Sequence, residues 1–195
     1  MDMQSNLTRA DFEDFLVYLT FGAPSDFLQG AITTAYLDFS RTLRGIARLE
    51  AKDLLREQAT SELGKVLMEL RGRQVNQDTF DGWHRNSCGR LVDLYREYGH
   101  HFYIGQAQKW INMTLKYVFV LGEERVTGFR DVYPYCHVPL DNLLLEKLAK
   151  YGFPPLDCAW SRLDDYEAYL KRQEWIRNKF EDIPLDVEFW LWLDR

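Results

Sequence analysis

The stretch from Tyr103 to Gly152 constrains the fold most. A glycine turn at Gly105 feeds a long apolar helix carrying Lys109, a polar loop follows, and Pro139-Leu140-Asp141 opens a second, leucine-rich helix. The flanking sequence supplies further helices able to form a core around it, because apolar residues recur there at helical spacing. Phe12, Phe15, Leu16 and Leu19 follow a capping pair, Thr8 and Asp11, and Gly22-Ala23-Pro24 stops that helix. Ser25 is positioned to cap a second helix through Phe27, Leu28, Ile32, Tyr36, Phe39, Leu43 and Ile46. A third is predicted from Thr60 or Ser61, through Leu63, Val66, Leu67 and Leu70, to Gly72.

From Asp78 the pattern resumes loosely across Gly82, Trp83 and Gly89, then tightens at Leu91, Leu94, Tyr95 and Tyr98. Gly99-His100-His101-Phe102 reads as a C-cap and turn. Pro154-Pro155 ends the leucine-rich helix, and Ser161 with Asp164 forms a capping pair for a helix through Leu163, Tyr166, Leu170, Trp175 and Phe180. Convincing strand alternation is missing, although Val132 to Val138 is compatible with an extended segment. The expected fold is mainly α, a compact orthogonal bundle of about seven to nine helices.

With 195 residues and 46% apolar content, the chain is expected to form one domain over 1–195, or two closely packed helical subdomains. Its apolar runs fall short of the roughly 20 residues a membrane helix needs. The opening MDMQSNLTRADFEDF is acidic where a secretory signal would be basic and then apolar, so a cytoplasmic protein without membrane partners is expected. Cys88, Cys136 and Cys158 lack paired spacing, and His84, His100, His101 and His137 form no i,i+4 pair. Neither pattern suits a metal site. Phosphate-binding loops, dinucleotide fingerprints and a nucleophilic serine elbow are also missing, so no cofactor is expected.

Net charge is −6, which argues against general electrostatic attraction to nucleic acid. The charge is uneven, however. Residues 84–130 hold seven bases against four acids, and this net-basic segment contains Lys109. Arg41, Arg44 and Arg48 fall at i, i+3 and i+7 of the second predicted helix, as a phosphate-facing stripe or a solvated face balanced by Asp38, Glu50 and Asp53. The tail IPLDVEFWLWLDR reads as a terminal helix docked on the core, with a Trp-rich surface for a protein partner as the competing reading.

Backbone amides of a turn that feeds a helix N-terminus can hold a phosphate without net positive charge. Residues 99–104 followed by Gly105-Gln106-Ala107-Gln108-Lys109 offer such a turn, and His137-Val138-Pro139-Leu140-Asp141 places a carboxylate at a helix start. The arrangement resembles the helix-hairpin-helix superfamily of DNA glycosylases, repair enzymes of hydrolase and lyase type. Gly105, Ala107 and Lys109 stand where the hairpin residues and nucleophilic lysine would be, and Val138-Pro139-Leu140-Asp141 stands for the aspartate segment. Tyr103-Ile104 replaces the usual Leu-Pro, Ala107 replaces a glycine, and no four-cysteine cluster motif follows Asp141.

That resemblance implies Lys109 as nucleophile and Asp141 as its carboxylate, with a base flipped into a pocket and stacked on Trp110 or Trp83. Gly105, Gln106, Ala107, Gln108, Trp110 and His137 become the substrate-contacting candidates, and DNA the partner. An alkylammonium with an ordinary pKa of about 10.4 has no free lone pair at neutral pH, so Lys109 needs burial or a proton acceptor. Lys116, two turns further on, is the alternate amine. Two other functions remain open: a non-catalytic acidic interaction protein, such as an inhibitor or accessory factor, and a helical DNA-binding module that lacks the chemistry.

Overall fold

A computed structural model describes residues 7–22 and 26–193. These residues are all-α, with no strand among them. In chain order the helices are α1 (Arg9–Phe21), α2 (Phe27–Ser40), α3 (Lys52–Leu70), α4 (Gln77–Glu97), α5 (Ile104–Leu121), α6 (Asn142–Ala149), α7 (Tyr166–Lys179) and α8 (Pro184–Trp192). Short 3-10 turns at Ile46–Arg48, Arg130–Tyr135 and Trp160–Arg162 link them. Among the described residues, no helix is long and apolar enough to cross a membrane.

Helix α5 is the axis of the fold. It is buried almost throughout, and Ala107, Trp110, Ile111 and Leu115 are wholly inaccessible. Its most extensive packing is against α2. There Trp110 lies against Tyr36 and Phe39, and its indole N–H donates to the Ile32 carbonyl at 2.9 Å. A buried indole keeps its polar edge satisfied in this way, which locks the register of the two helices. Before α5, Phe102 stacks on Tyr95 of α4 with centroids 4.0 Å apart, so the turn joining these helices is anchored in the core.

Several local expectations hold. Thr8 and Asp11 form a reciprocal capping box on α1, and Gly99 closes α4 at positive φ, where a side chain would be strained. Others are corrected. Ser25 lies outside the described residues, and Asp26 caps α2. That helix stops at Ser40, so Arg41, Arg44 and Arg48 form no helical stripe; they sit on the turns that follow. Leu43 still packs inward from those turns, which explains why the apolar pattern overran the helix.

Helix α3 starts at Lys52, well before Thr60, without a side-chain cap. Ser161 belongs to a 3-10 turn and Asp164 pairs with His101, while Asp165 caps α7. Arg130–Tyr135 is helical, with the chain extending only from Cys136. The tail docks as α8 through Leu185, Val187 and Leu191, leaving Trp190 and Trp192 partly exposed.

Candidate functional site

Lys109 and Asp141 meet. The ammonium Nζ of Lys109 lies 2.5 Å from Asp141 Oδ2, across 32 residues of sequence. Lys109 is 4% exposed and the Asp141 side chain 19%. The carboxylate does two jobs at once. Its Oδ1 accepts the Leu144 N–H at 2.9 Å, capping α6, while Oδ2 takes the lysine. Capping fixes the carboxylate's rotamer, so the amine is aimed rather than merely neutralised.

Both groups open on one cleft of about 620 Å³, bounded by α2, α5, the start of α6 and the 159–161 turn. Its walls carry apolar rings and a second set of charges. Met113, Tyr117, Trp160 and Trp192 face it, together with Asp38, Arg41 and Lys116. Lys116 Nζ donates to Glu188 Oε1 of α8 at 2.7 Å and lies over the Phe189 and Trp192 rings. The other Glu188 oxygen is buried with no hydrogen-bond partner among the described residues. Burial pushes the Glu188 pKa up, opposed by Lys116. Asp38 accepts the Tyr117 hydroxyl at 2.8 Å, and burial raises its pKa too, against that hydrogen bond.

A buried polar network holds the aspartate segment from behind. Gln108 Nε2 donates to the Leu140 carbonyl at 3.0 Å, and its Oε1 accepts the Leu140 N–H at 3.2 Å. Gln173 of α7 treats Val138 the same way, at 2.9 and 3.0 Å. With the Asn112 amide nitrogen donating to Gln108 and Tyr169, its oxygen is left to accept from His84 Nε2 at 3.0 Å. The chain of donors then runs from Tyr169 to His137 Nδ1 at 3.0 Å, and from His137 Nε2 to Asp81 at 2.8 Å. Arg177 closes the network on Asp81 at 3.0 Å. Buried amides paired with both polar groups of a peptide give a non-helical segment one register, because any slip leaves polar groups unsatisfied.

The network has a pH signature. Burial pushes the His84 pKa well down, helped by His137, and lowers that of His137 despite Asp81. Burial works against the Asp81 carboxylate, yet the His137 N–H, the Gln77 amide and Arg177 hold its pKa at about 2. All three groups bind fewer protons folded than unfolded, so acid favours unfolding. The histidine contribution is complete above the unfolded value near 6.5 and is lost as pH falls through the lowered folded values; that of Asp81 is complete above about pH 4 and is lost as pH falls to about 2. Urea denaturation at pH 7 and pH 5 is expected to show a loss of about 2–4 kcal/mol, as two neutral histidines predict. Equal stability at the two pH values would exclude neutral buried histidines.

The other candidates named from sequence do not line this cleft. Trp110 is sealed in the α2–α5 interface and Trp83 donates to the Val66 carbonyl, so neither can stack on a ligand there. Gln108 and His137 are committed to the network, and Ala107 is fully buried. The turn amides are closed as well. Gly105 N–H donates to the Leu163 carbonyl at 2.8 Å, and those of Gln106 and Ala107 donate to the Tyr103 carbonyl. A Cβ on Gly105 would stand 1.7 Å from the Trp160 carbonyl oxygen, so this glycine serves close approach within the protein. Gln106 braces the loop after α2 by donating to Thr42 at 3.0 Å.

Sequence reasoning missed Asp38, Trp160, Trp192 and Glu188 around the cleft, read Arg41 as part of a helical stripe rather than as a residue of the cleft, and missed Asp81, Tyr166, Tyr169, Gln173 and Arg177 in the network. The available signal was polar residues on otherwise apolar helix faces, as at Asn112 and Gln173. Among the described residues, no group of three or more His, Cys, Asp or Glu side chains is placed to hold a metal ion. Comparison with protein-family models, curated proteins and solved structures finds no match for this chain.

Proposed function

We propose that the chain is a DNA glycosylase/lyase of helix-hairpin-helix type, in which Lys109 attacks the sugar carbon of a nucleotide flipped into the cleft. One observation carries this reading: an amine and a carboxylate 2.5 Å apart, both largely buried, share the wall of an aromatic-lined cleft. In this reading α4, residues 98–103 and α5 serve as the helix, turn and helix, and the turn contributes placement of Lys109 rather than open amides for phosphate.

In the proposed sequence Asp141 accepts a proton from the Lys109 ammonium, freeing the lone pair. The amine attacks C1′; the glycosidic bond breaks, and its electron pair leaves with the base, which takes up a proton. The C1′–O4′ bond then opens to a protonated Schiff base, O4′ taking a proton. Loss of a C2′ proton expels the 3′ phosphate, cutting the strand. Trp160, Trp192, Tyr117 and Met113 supply the apolar walls that an unstacked base requires.

The test is incubation with abasic-site DNA and borohydride, which reduces the imine to a stable amine. A covalent protein–DNA band is expected. Asp141→Asn keeps a competent cap and should retain the fold while slowing adduct formation by about 10²-fold, the scale of a positioned proton acceptor. Absence of any band across a range of salt concentrations would remove the reading.

A second reading, a non-catalytic protein that binds a protein partner, draws on α1. Phe12, Phe15, Leu16 and Leu19 are each more than half exposed on that acidic helix. The Trp-rich tail is a weaker basis for it, since α8 is docked. Specific DNA binding and an adduct at Lys109 would decide between the two.

A further inference from the structure

We infer that the nucleic-acid strand is gripped by a basic groove built from Arg41, Arg44 and Arg162, beside the cleft and outside the helix-turn-helix amides. This inference rests on the nucleic-acid reading above. A second cavity of about 540 Å³ adjoins the cleft and shares Arg41, Thr42, Ala159 and Ser161 with it. Arg44 and Arg162 line its remaining sides, along with His100, His101, Tyr103 and Gln106.

Among the described residues, none of the three arginines forms an ion pair, whereas Arg85, Arg90, Arg125 and Arg177 all do. Arg41, Arg44 and Arg162 are exposed. No acid among the described residues lines this groove, and Asp164, which shares a neighbouring cavity with His100 and His101, is engaged by His101 Nε2 at 3.0 Å. Unpaired guanidiniums lining a concavity are what phosphate recognition needs: a planar fork of donors with nothing to displace but water.

Their supports are rigid. The Arg41–Arg44 loop is held by buried Leu43 and by Gln106 donating to the carbonyl and hydroxyl of Thr42, at 3.1 and 3.0 Å. Arg162 belongs to the 3-10 turn whose Trp160 carbonyl is packed on Gly105. The two cationic turns therefore flank the N-terminal end of α5, one turn of helix away from Lys109. The α5 amides of residues 105–107 are consumed internally, so they cannot anchor the strand. The arginines stand where that anchor is required. Tyr103 and His101, with ring centroids 4.1 Å apart and planes tilted by 44°, add aromatic surface to the same groove for an unpaired base.

The deciding experiment is fluorescence polarisation of a duplex containing a stable tetrahydrofuran abasic analogue, titrated with protein at several salt concentrations. The proteins are wild type, Arg44→Gln, Arg162→Gln, the double variant, and Arg73→Gln as an exposed arginine outside the groove. Melting curves check that each is folded. Each groove substitution should weaken binding about 3–10-fold near 0.1 M salt and lower the salt slope by about one. Arg73→Gln should change neither. If the double variant matches Arg73→Gln while wild type still forms the borohydride adduct, the groove is not the strand path and the cleft reading survives. If wild type neither binds the duplex nor forms the adduct, both are overturned.

Discussion

Lys109→Gln is expected to abolish the borohydride adduct and base release, a fall of at least about 10³-fold for loss of a covalent nucleophile. Glutamine is one atom shorter but keeps a polar N–H that can reach toward Asp141, and its amide has no lone pair that forms an imine. Lys116→Gln should leave the adduct detectable, because that amine is tied to Glu188 at 2.7 Å and screened by the rings of Phe189 and Trp192. The comparison is informative only if both variants fold. Removing Lys109 leaves a part-buried carboxylate without its cation, at a cost of about 1–3 kcal/mol, so single-turnover assays belong well below the melting transition. Equal adduct yields from Lys109→Gln and wild type would exclude Lys109 as the attacking amine.

The second large effect is on stability. Gly105→Ala places a methyl carbon 1.7 Å from the Trp160 carbonyl oxygen and 3.4 Å from the Leu163 Cβ. The obstacle is backbone, so no side-chain rotation relieves it; the 160–163 turn must move off α5. That motion also breaks the Gly105 N–H to Leu163 carbonyl bond. Overpacking together with a lost buried hydrogen bond predicts a loss of about 3 kcal/mol or more. For a chain of this size that corresponds to a fall in Tm of roughly 10 °C. Gly89→Ala, with open space around its would-be Cβ, should stay close to wild type or rise slightly. If both alanine variants melt together, the close approach at Gly105 is wrong.

Legibility in the sequence followed how local each determinant was. The Thr8–Asp11 box, the stop at Gly99 and the cap at Asp141 depend on a few adjacent residues, and all three are found in the structure. Helix ends without such markers were misplaced. Ala51 offers no side-chain cap, so nothing local announces α3, and the inward-facing Leu43 lies on a turn that imitates continuing helix. Ser161 and Asp164 have the spacing of a capping pair, but His101 competes for the carboxylate.

At the site, Lys109 and Asp141 were legible because each belongs to a short local motif, Lys109 four residues past the turn glycine Gly105 and Asp141 at the N-cap of α6. The rest came from chain segments far apart. Asp81, Asn112, His137, Tyr169 and Gln173 bear on one point only after α4, α5 and α7 pack around the aspartate segment. Trp110 illustrates the reverse error: adjacent to Lys109 in sequence, it projects from a different face of α5 and ends in the core rather than the cleft. Neighbours on a helix are separated by about 100°, so adjacency to a reactive residue predicts little about sharing its pocket.

The central claim is that the Lys109 amine, held by Asp141 in the cleft, bonds to the sugar of a flipped nucleotide. Peptide mapping of the borohydride-reduced adduct by mass spectrometry tests it most directly. The predicted result is a single modified peptide from the start of α5, carrying the reduced sugar fragment on Lys109, with Lys116 unmodified. A fragment on Lys116 or on a surface lysine such as Lys150, or no modified peptide at all, would contradict it.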